Sequence, residues 1–320
     1  MDQNNPAPSV SASLPRIEGP LAILKASWNL FVKHWKSIVP IVILPSVVGY
    51  IGTLFTLFKS NVFFGVIGAI LSIVGGVLSV AAVAALTGAI HRLSIDPNAQ
   101  ISLKEQYRFG FTLFWSIVLV GLITMLVMIG SIALLVIPGI IVGVYIGLYT
   151  YALVVDGKKG FGALLESYDL VRGRWMPVFG RAAFLGLISM LAWIIIGAVM
   201  YPFVGNDMFS QAIGGLINIA ATAVLTPIAI GYSYRLYTNL KSLRQPEISL
   251  KKFKKWLVAL LCIGVLAIII LFLTIPLVAL NGFRSSRMSA ENTGITGELQ
   301  MAEIQRLIQE AAQSASTTAQ

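Results

Sequence analysis

The chain is poor in charged residues for its size. Charged residues make up 11% of its 320 residues and hydrophobic residues make up 57%, whereas about a quarter of a typical soluble domain is charged. This composition excludes a soluble globular enzyme and a disordered chain. We therefore expect an integral membrane protein that crosses the bilayer several times.

Histidine and cysteine are also scarce, with two histidines and one cysteine. His34 and His91 lie beside neither a cysteine nor a carboxylate cluster, so multi-histidine metal sites are excluded and we expect both to be hydrogen-bonded interfacial side chains. Cys262 cannot form an intrachain disulfide. Arg181 is the one ionisable residue within the apolar runs, although proton relays and intramembrane proteases place such groups at depth. The sequence thus predicts a protein that is not an enzyme and holds no cofactor or metal.

Long apolar runs are abundant and set the fold class. A helix needs ~20 apolar residues to cross the ~30 Å hydrocarbon core. Seven runs reach this length, which predicts an all-α polytopic helical bundle with a membrane domain over residues 20–240. The expected spans are residues 37–58, 62–90, 113–137, 138–155, 177–204, 211–234 and 256–280. We expect a disordered segment at 1–19, a basic linker and the seventh span within 241–280, and a hydrophilic tail at 281–320.

The third and fourth runs are one apolar stretch that is too long for a single span. Pro138 and Gly139 lie near its middle. Proline cannot extend a helix and glycine relaxes the backbone. The pair is therefore predicted to form the tip of a tight hairpin.

Basic residues, which give a net charge of +10, concentrate in alternate loops. Because such loops face the cytoplasm, we expect a cell-membrane protein with a cytoplasmic N-terminus. An odd number of spans then places the C-terminal tail outside the cytoplasm. The richest loop ends in Lys251, Lys252, Lys254 and Lys255, which either contact anionic lipid or serve topology alone.

Two cytoplasmic segments have helical spacing of apolar residues and resemble each other. Residues 24–35 align without a gap with residues 164–175, at a constant offset of 140. Ser27 matches Ser167 and Trp35 matches Trp175. The pattern indicates either a parallel repeat or convergence of two interfacial helices that each precede a span. In both readings the helices are expected to lie in the interface, with their apolar sides toward the acyl chains.

Small residues form a stripe along the second span, from Gly65 through Gly75 to Ala82, which lets neighbouring backbones approach closely. Asn218, Thr222 and Thr226 form a polar line in the sixth span. Interhelical hydrogen bonding accounts for that line, and a substrate cavity is the alternative. If a cavity exists, we expect it between the second and sixth spans.

One stretch resembles a known membrane-protein group. Its motifs are Ile137-Pro138-Gly139 and a helix from Ala163 to Trp175. The helix motif consists of Glu166, Ser167, Asp169, Leu170, Gly173 and Trp175. The stretch is similar to the membrane domain of glycerophosphoryl diester phosphodiesterases and of YciC-like integral membrane proteins. The resemblance implies the helical fold, while the hydrolase activity of those phosphodiesterases belongs to a separate barrel domain.

Two functions are compatible with these features. The first is a non-enzymatic membrane protein that organises lipids or partner proteins at the cytoplasmic face. Its expected partners are membrane lipids, anionic ones included, and another protein or a second copy of the chain, with no nucleic acid. The alternative is a transporter or flippase for a lipid-like or apolar small molecule, which requires a cavity.

Overall fold

The computed structural model describes residues 17–56, 62–201, 208–244 and 250–317. Within these ranges the chain is helical and has no β-strand. The helices are α1 (Pro20–Thr56), α2 (Val62–Ile95), α3 (Leu103–Leu134), α4 (Val136–Ile146), α5 (Tyr149–Val154), α6 (Phe161–Val171), α7 (Trp175–Met200), α8 (Met208–Ser242) and α9 (Lys251–Thr317). Seven segments of the described chain are long and apolar enough to cross a membrane. The predicted all-α bundle of a multi-pass membrane protein is confirmed.

The chain divides into two compact units, residues 1–263 and residues 264–320. The second unit is the helical remainder of α9, in the region predicted to hold the end of the seventh span and the hydrophilic tail. The predicted disordered segment falls mostly on residues 1–16, outside the described residues. Residues 17–19 are described, and the carbonyls of Ile17 and Glu18 accept hydrogen bonds from Arg181.

One end of the first unit collects the basic loops. Here Arg92 at the end of α2 pairs with Glu105 at the start of α3 at 3.8 Å. Arg181 near the start of α7 donates to the carbonyls that precede α1, at 2.8 Å each. The ring of Tyr168 in α6 stacks on Phe253 at the start of α9, with centroids 3.5 Å apart. We call this end of the first unit the basic end.

Helix α1 bends where the sequence predicts a cytoplasmic helix to turn into a span. His34 has a non-helical backbone, with φ −120° and ψ 18°. Before it, Ile23, Ser27 and Phe31 are buried at helical spacing. On another face the large apolar side chains are exposed: Leu21, Trp28, Val32 and Trp35. The segment at residues 20–34 thus has one apolar face in the core and another outside it.

Close packing of α1 on α2 depends on small residues. A Cβ atom built on Gly75 would lie 2.6 Å from the Cα of Gly49, and one built on Gly52 would lie 2.6 Å from the Oγ of Ser72. Such distances are too short for carbon atoms, so the two backbones can approach only because side chains are missing there. The predicted role of the small-residue stripe is confirmed for this part of α2.

The turn between the third and fourth spans lies earlier than predicted. Leu135 is extended, with φ −171° and ψ 153°, and α4 begins at Val136. Pro138 and Gly139 therefore belong to the first turn of α4 and not to a hairpin tip. Proline is tolerated there because the first N–H groups of a helix have no intrahelical acceptor. Gly139 lets this turn pack on Ile132, whose Cγ1 would lie 2.8 Å from an added Cβ.

The two segments that align at an offset of 140 agree in local backbone and differ in packing. Arg174, which aligns with His34, has φ −131° and ψ 22°, close to the values of His34. However, α1 continues through its kink, whereas α6 ends at Val171 and a left-handed Gly173 follows, with φ 77°. The repeat therefore stays a prediction.

Candidate functional site

Helix α6 carries most of the motif residues singled out in the sequence, and it is buried. Seven of its eleven residues are buried, which corrects the expectation that its apolar side faces the acyl chains. Among the buried residues are Glu166 and Asp169. Two buried carboxylates require cationic partners, because an unpaired charge in the interior is costly.

The cation comes from a residue that the sequence did not single out for this role. Arg244, just after α8, places Nη1 3.0 Å from Oε1 of Glu166 and Nη2 3.3 Å from Oδ2 of Asp169. Asp169 also lies 3.7 Å from Arg172, three residues on in the chain. The Asp169 side chain is only 3% exposed.

A second polar contact attaches α8 to the same region. Asp156, in the turn before α6, accepts a hydrogen bond from the hydroxyl of Tyr237 at 2.6 Å and forms an ion pair with Lys241. Together with Arg244, these residues bind the end of α8 to the segment at residues 156–169. We call this set of contacts the α8 clamp. Its acidic and basic side chains pair with each other and join the end of α8 to α6.

Ser167 holds the break between α4 and α5. Its hydroxyl donates to the carbonyl of Tyr145 at 2.7 Å and accepts from the N–H of Leu148 at 3.1 Å. Both partners lie where the helical hydrogen-bond ladder is interrupted. Ser167 is fully buried, so water does not replace these bonds. The aligned Ser27 donates to the carbonyl of Ile23 in its own helix.

The other motif residues also have structural roles. Leu170 is buried in the core, and Gly173 supplies the left-handed backbone that lets the chain leave α6. Trp175 donates its indole N–H to the carbonyl of Ile141 at 3.3 Å and stacks on Phe179. These residues join α6 to the start of α7.

A cavity of about 170 Å³ lies between α1, α2 and α8. Its polar lining comes from four hydroxyl side chains, those of Ser46, Ser79, Thr222 and Thr226. Two of the three predicted lining residues therefore meet at a cavity between the second and sixth spans. Asn218 does not line it and is exposed on α8. Ser46 and Ser79 donate to carbonyls of their own helices, so their hydroxyl protons are already engaged in hydrogen bonds.

A second cavity, of about 340 Å³, lies between the same three helices at the basic end. Three basic side chains line it, those of Lys33, His34 and Arg235. Asn29 and Ser94 add polar atoms to the lining. We call it the basic cavity. Sequence reasoning assigned these basic residues only to membrane topology or to the interface, because it could not show that α1 and α8 bring them together.

The two histidines differ in their surroundings. His91 contacts the hydroxyl of Tyr234 through Nδ1 at 2.9 Å, which confirms the predicted hydrogen-bonded side chain. In the described part of the chain no side-chain hydrogen bond holds His34, which lines the basic cavity instead. Arg181, the predicted charge inside a span, donates hydrogen bonds to three main-chain carbonyls.

The four lysines predicted to contact lipid form the first turn of α9. All four side chains are exposed, and so is Trp256 beside them. Phe253, between the lysines, packs inward on Tyr168. The turn thus presents cations and an indole outward while one ring anchors it to α6.

Comparison with known proteins gives one match. The protein family described as "Domain of unknown function (DUF7847)" matches residues 61–240, which span α2 to α8. No curated protein and no solved structure matches the chain. The match does not test the resemblance to the phosphodiesterase membrane domain or to YciC-like proteins, which stays a prediction.

Proposed function

The chain belongs to the DUF7847 family, whose description names no activity, so we propose its role from its own residues. We propose that it is a non-enzymatic protein that organises anionic lipids at the cytoplasmic face of the cell membrane. The basic end is then the cytoplasmic end. This orientation follows from the distribution of lysine and arginine among the loops.

The observation that carries this proposal is the exposed apolar face of α1 before its kink. Leu21 is 68% exposed and Trp28 is 48% exposed, although large apolar side chains are usually withdrawn from water. Lys25 is exposed on the same segment, and Lys36 is exposed just after the kink. A helix with an outward apolar face and interspersed lysines suits the boundary between headgroups and acyl chains.

Other side chains of the basic end support the same role. Trp256 is exposed near the start of α9, and Trp115 is exposed near the start of the predicted third span. Indole rings favour the headgroup level because they combine an apolar body with a polar N–H. Each exposed lysine of the first turn of α9 would contribute about 1 kcal/mol near an anionic surface. The combination favours anionic over zwitterionic lipid.

Lipid analysis of the purified protein tests this role. The full chain is extracted from membranes, and the lipids that copurify are quantified against the bulk membrane. We expect enrichment of anionic lipid, reduced in a variant in which Lys251, Lys252, Lys254 and Lys255 are all replaced by glutamine. Replacing Lys158 and Lys159 by glutamine is the control, because these exposed lysines belong to the turn before α6 and not to α9. Copurified lipid with the composition of the bulk membrane would contradict the proposal.

A second candidate function is transport of a lipid-like or apolar molecule. The cavity of about 170 Å³ between three spans favours it, since a tightly packed bundle would have no room for a substrate. Scrambling of a fluorescent phospholipid in proteoliposomes is the assay. Transport through this cavity should stop when Ala82, which lines it, is replaced by phenylalanine. Gly76→Ala is the control, because an added Cβ there meets open space. Absence of scrambling by the wild-type chain would exclude this function.

A further inference from the structure

We propose that the basic cavity binds the phosphate of a lipid headgroup. This inference rests on the lipid-organising role proposed above and names a specific binding site and ligand chemistry for it. The cavity lies between the segment before the kink of α1, the end of α2 and the end of α8.

Charge is the first argument. Lys33 and Arg235 bring two positive charges to one cavity from two helices, and like charges brought together repel unless an anion lies among them. Glu18 is the carboxylate beside this group, 3.9 Å from the guanidinium of Arg235. In the described residues no ion pair compensates Lys33. A phosphate group would balance the remaining positive charge and accept hydrogen bonds from the ammonium and guanidinium groups.

The helical register of α1 is the second argument. Its cavity-lining residues repeat at three-four spacing, which makes them one stripe: Ala26, Asn29, Leu30, Lys33 and His34. This stripe differs from the buried stripe of Ile23, Ser27 and Phe31. It also differs from the exposed apolar stripe that contains Trp28 and Val32. The segment therefore presents three faces, to the core, to the cavity and to the outside.

The adjacency of two of these faces identifies the ligand as a lipid. Asn29 lines the cavity and Val32 is exposed. These two residues lie three apart and are therefore neighbours on the helix surface, so the exposed apolar stripe meets the cavity stripe there. A phosphate held in the cavity would leave its acyl chains along Trp28 and Val32, in the membrane. The volume of about 340 Å³ reaches the lower limit of ~300 Å³ for small-ligand pockets, enough for a headgroup and too small for a whole lipid. A soluble phosphate ester would not use the apolar stripe.

Native mass spectrometry of the detergent-solubilised full chain tests the site with three probes. Dioleoyl phosphatidic acid has both phosphate and chains, dioleoylglycerol has the same chains without phosphate, and glycerol 3-phosphate has phosphate without chains. We expect one molecule of phosphatidic acid to bind more tightly than either other probe. Equal binding of dioleoylglycerol would overturn the role of phosphate, and equal binding of glycerol 3-phosphate would overturn the assignment to lipid.

Paired variants locate the binding. Lys33→Gln with Arg235→Gln should weaken binding of phosphatidic acid by at least about tenfold, because two charge-assisted contacts are lost. Lys158→Gln with Lys159→Gln removes two exposed charges of the basic end that do not line the cavity, and should change affinity less than about twofold. Arg235→Lys keeps the charge and should retain most of the affinity, which separates a loss of binding from a loss of folding. Equal effects of the two double variants would overturn the proposal.

The two proposals fail differently. Loss of the single bound phosphatidic acid in the Lys33 and Arg235 double variant, with bulk enrichment of anionic lipid retained, supports the cavity and leaves the broader role intact. Single-site binding without bulk enrichment supports the cavity and removes the broader role. If bulk enrichment of anionic lipid remains and phosphatidic acid binds equally well without the Lys33 and Arg235 side chains, the cavity proposal alone is overturned.

Discussion

Arg244 and Glu166 lie 78 residues apart in the chain, and their side chains meet at 3.0 Å between Nη1 and Oε1. The carboxylate is buried, whereas the guanidinium is about one third exposed. The contact joins the end of α8 to α6, and through Asp169 it satisfies a second buried acid. A short helix that carries two acidic residues can therefore lie inside the bundle.

Loss of the Arg244 side chain should destabilise the protein. Arg244→Gln leaves Glu166 and Asp169 without their main cation, and we expect the free energy of unfolding to fall by about 1–3 kcal/mol, less than for a fully buried pair because Arg244 is partly exposed. Thermal unfolding in detergent is the measurement. Arg92→Gln is the control, since its pair with Glu105 is exposed on both sides, and it should change stability by less than about 1 kcal/mol. Equal shifts in the two variants would contradict the role of the α8 clamp.

Neighbouring glycines in α2 should respond oppositely to the same substitution. Gly75→Ala places a methyl group 2.6 Å from the Cα of Gly49, so α1 and α2 must separate, at a cost of about 1–3 kcal/mol. Gly76→Ala meets open space and should be neutral or slightly stabilising, because alanine favours the helix. Thermal stability of the two variants measures the difference. A neutral Gly75→Ala would show that the close approach is not required.

The two aligned serines should differ in their importance. Ser167→Ala leaves the buried N–H of Leu148 and the carbonyl of Tyr145 without this partner, which should cost about 1–3 kcal/mol. Ser27→Ala removes a hydroxyl that returns to its own helix, and we expect a change below about 1 kcal/mol. Hydrogen exchange at Leu148 should accelerate in the first variant only. Similar losses in both variants would argue that the two segments are equivalent after all.

Orientation can be tested by cysteine labelling in a Cys262→Ser background. Leu135→Cys, in the exposed turn between α3 and α4, should react with a membrane-impermeant maleimide in intact cells. Lys158→Cys, at the basic end, should react only after permeabilisation, because positive loops stay in the cytoplasm. Reaction of position 158 from outside would reverse the orientation.

The sequence predicted the helices better than their contacts. Long apolar runs fix the number of spans because the bilayer thickness sets helix length. The turn at Leu135 was misplaced because proline disrupts the interior of a helix but is tolerated in its first turn, and the sequence does not show where α4 begins. The spacing of glycines in α2 indicated a face without large side chains. The structure shows that this face packs on α1 at Gly49.

Site residues were harder to predict because they depend on contacts between distant segments. Basic residues such as Lys33 and Arg235 were interpreted as topology signals. The sequence could not show that these two residues line the same cavity. Asn218 was grouped with Thr222 and Thr226 by spacing, but the cavity ends before its position on α8. The partner of Glu166 could not be read from periodicity, because Arg244 follows a different helix.

Arg181 recognises the chain before α1 by its backbone alone. Its guanidinium contacts the main-chain carbonyls of Ile17 and Glu18, which every amino acid possesses. The identity of residues 17 and 18 is therefore almost free as far as this attachment is concerned, whereas the number of residues between them and α1 is not. The amino acids at these two positions can therefore change more easily than a residue can be inserted or deleted between them and α1.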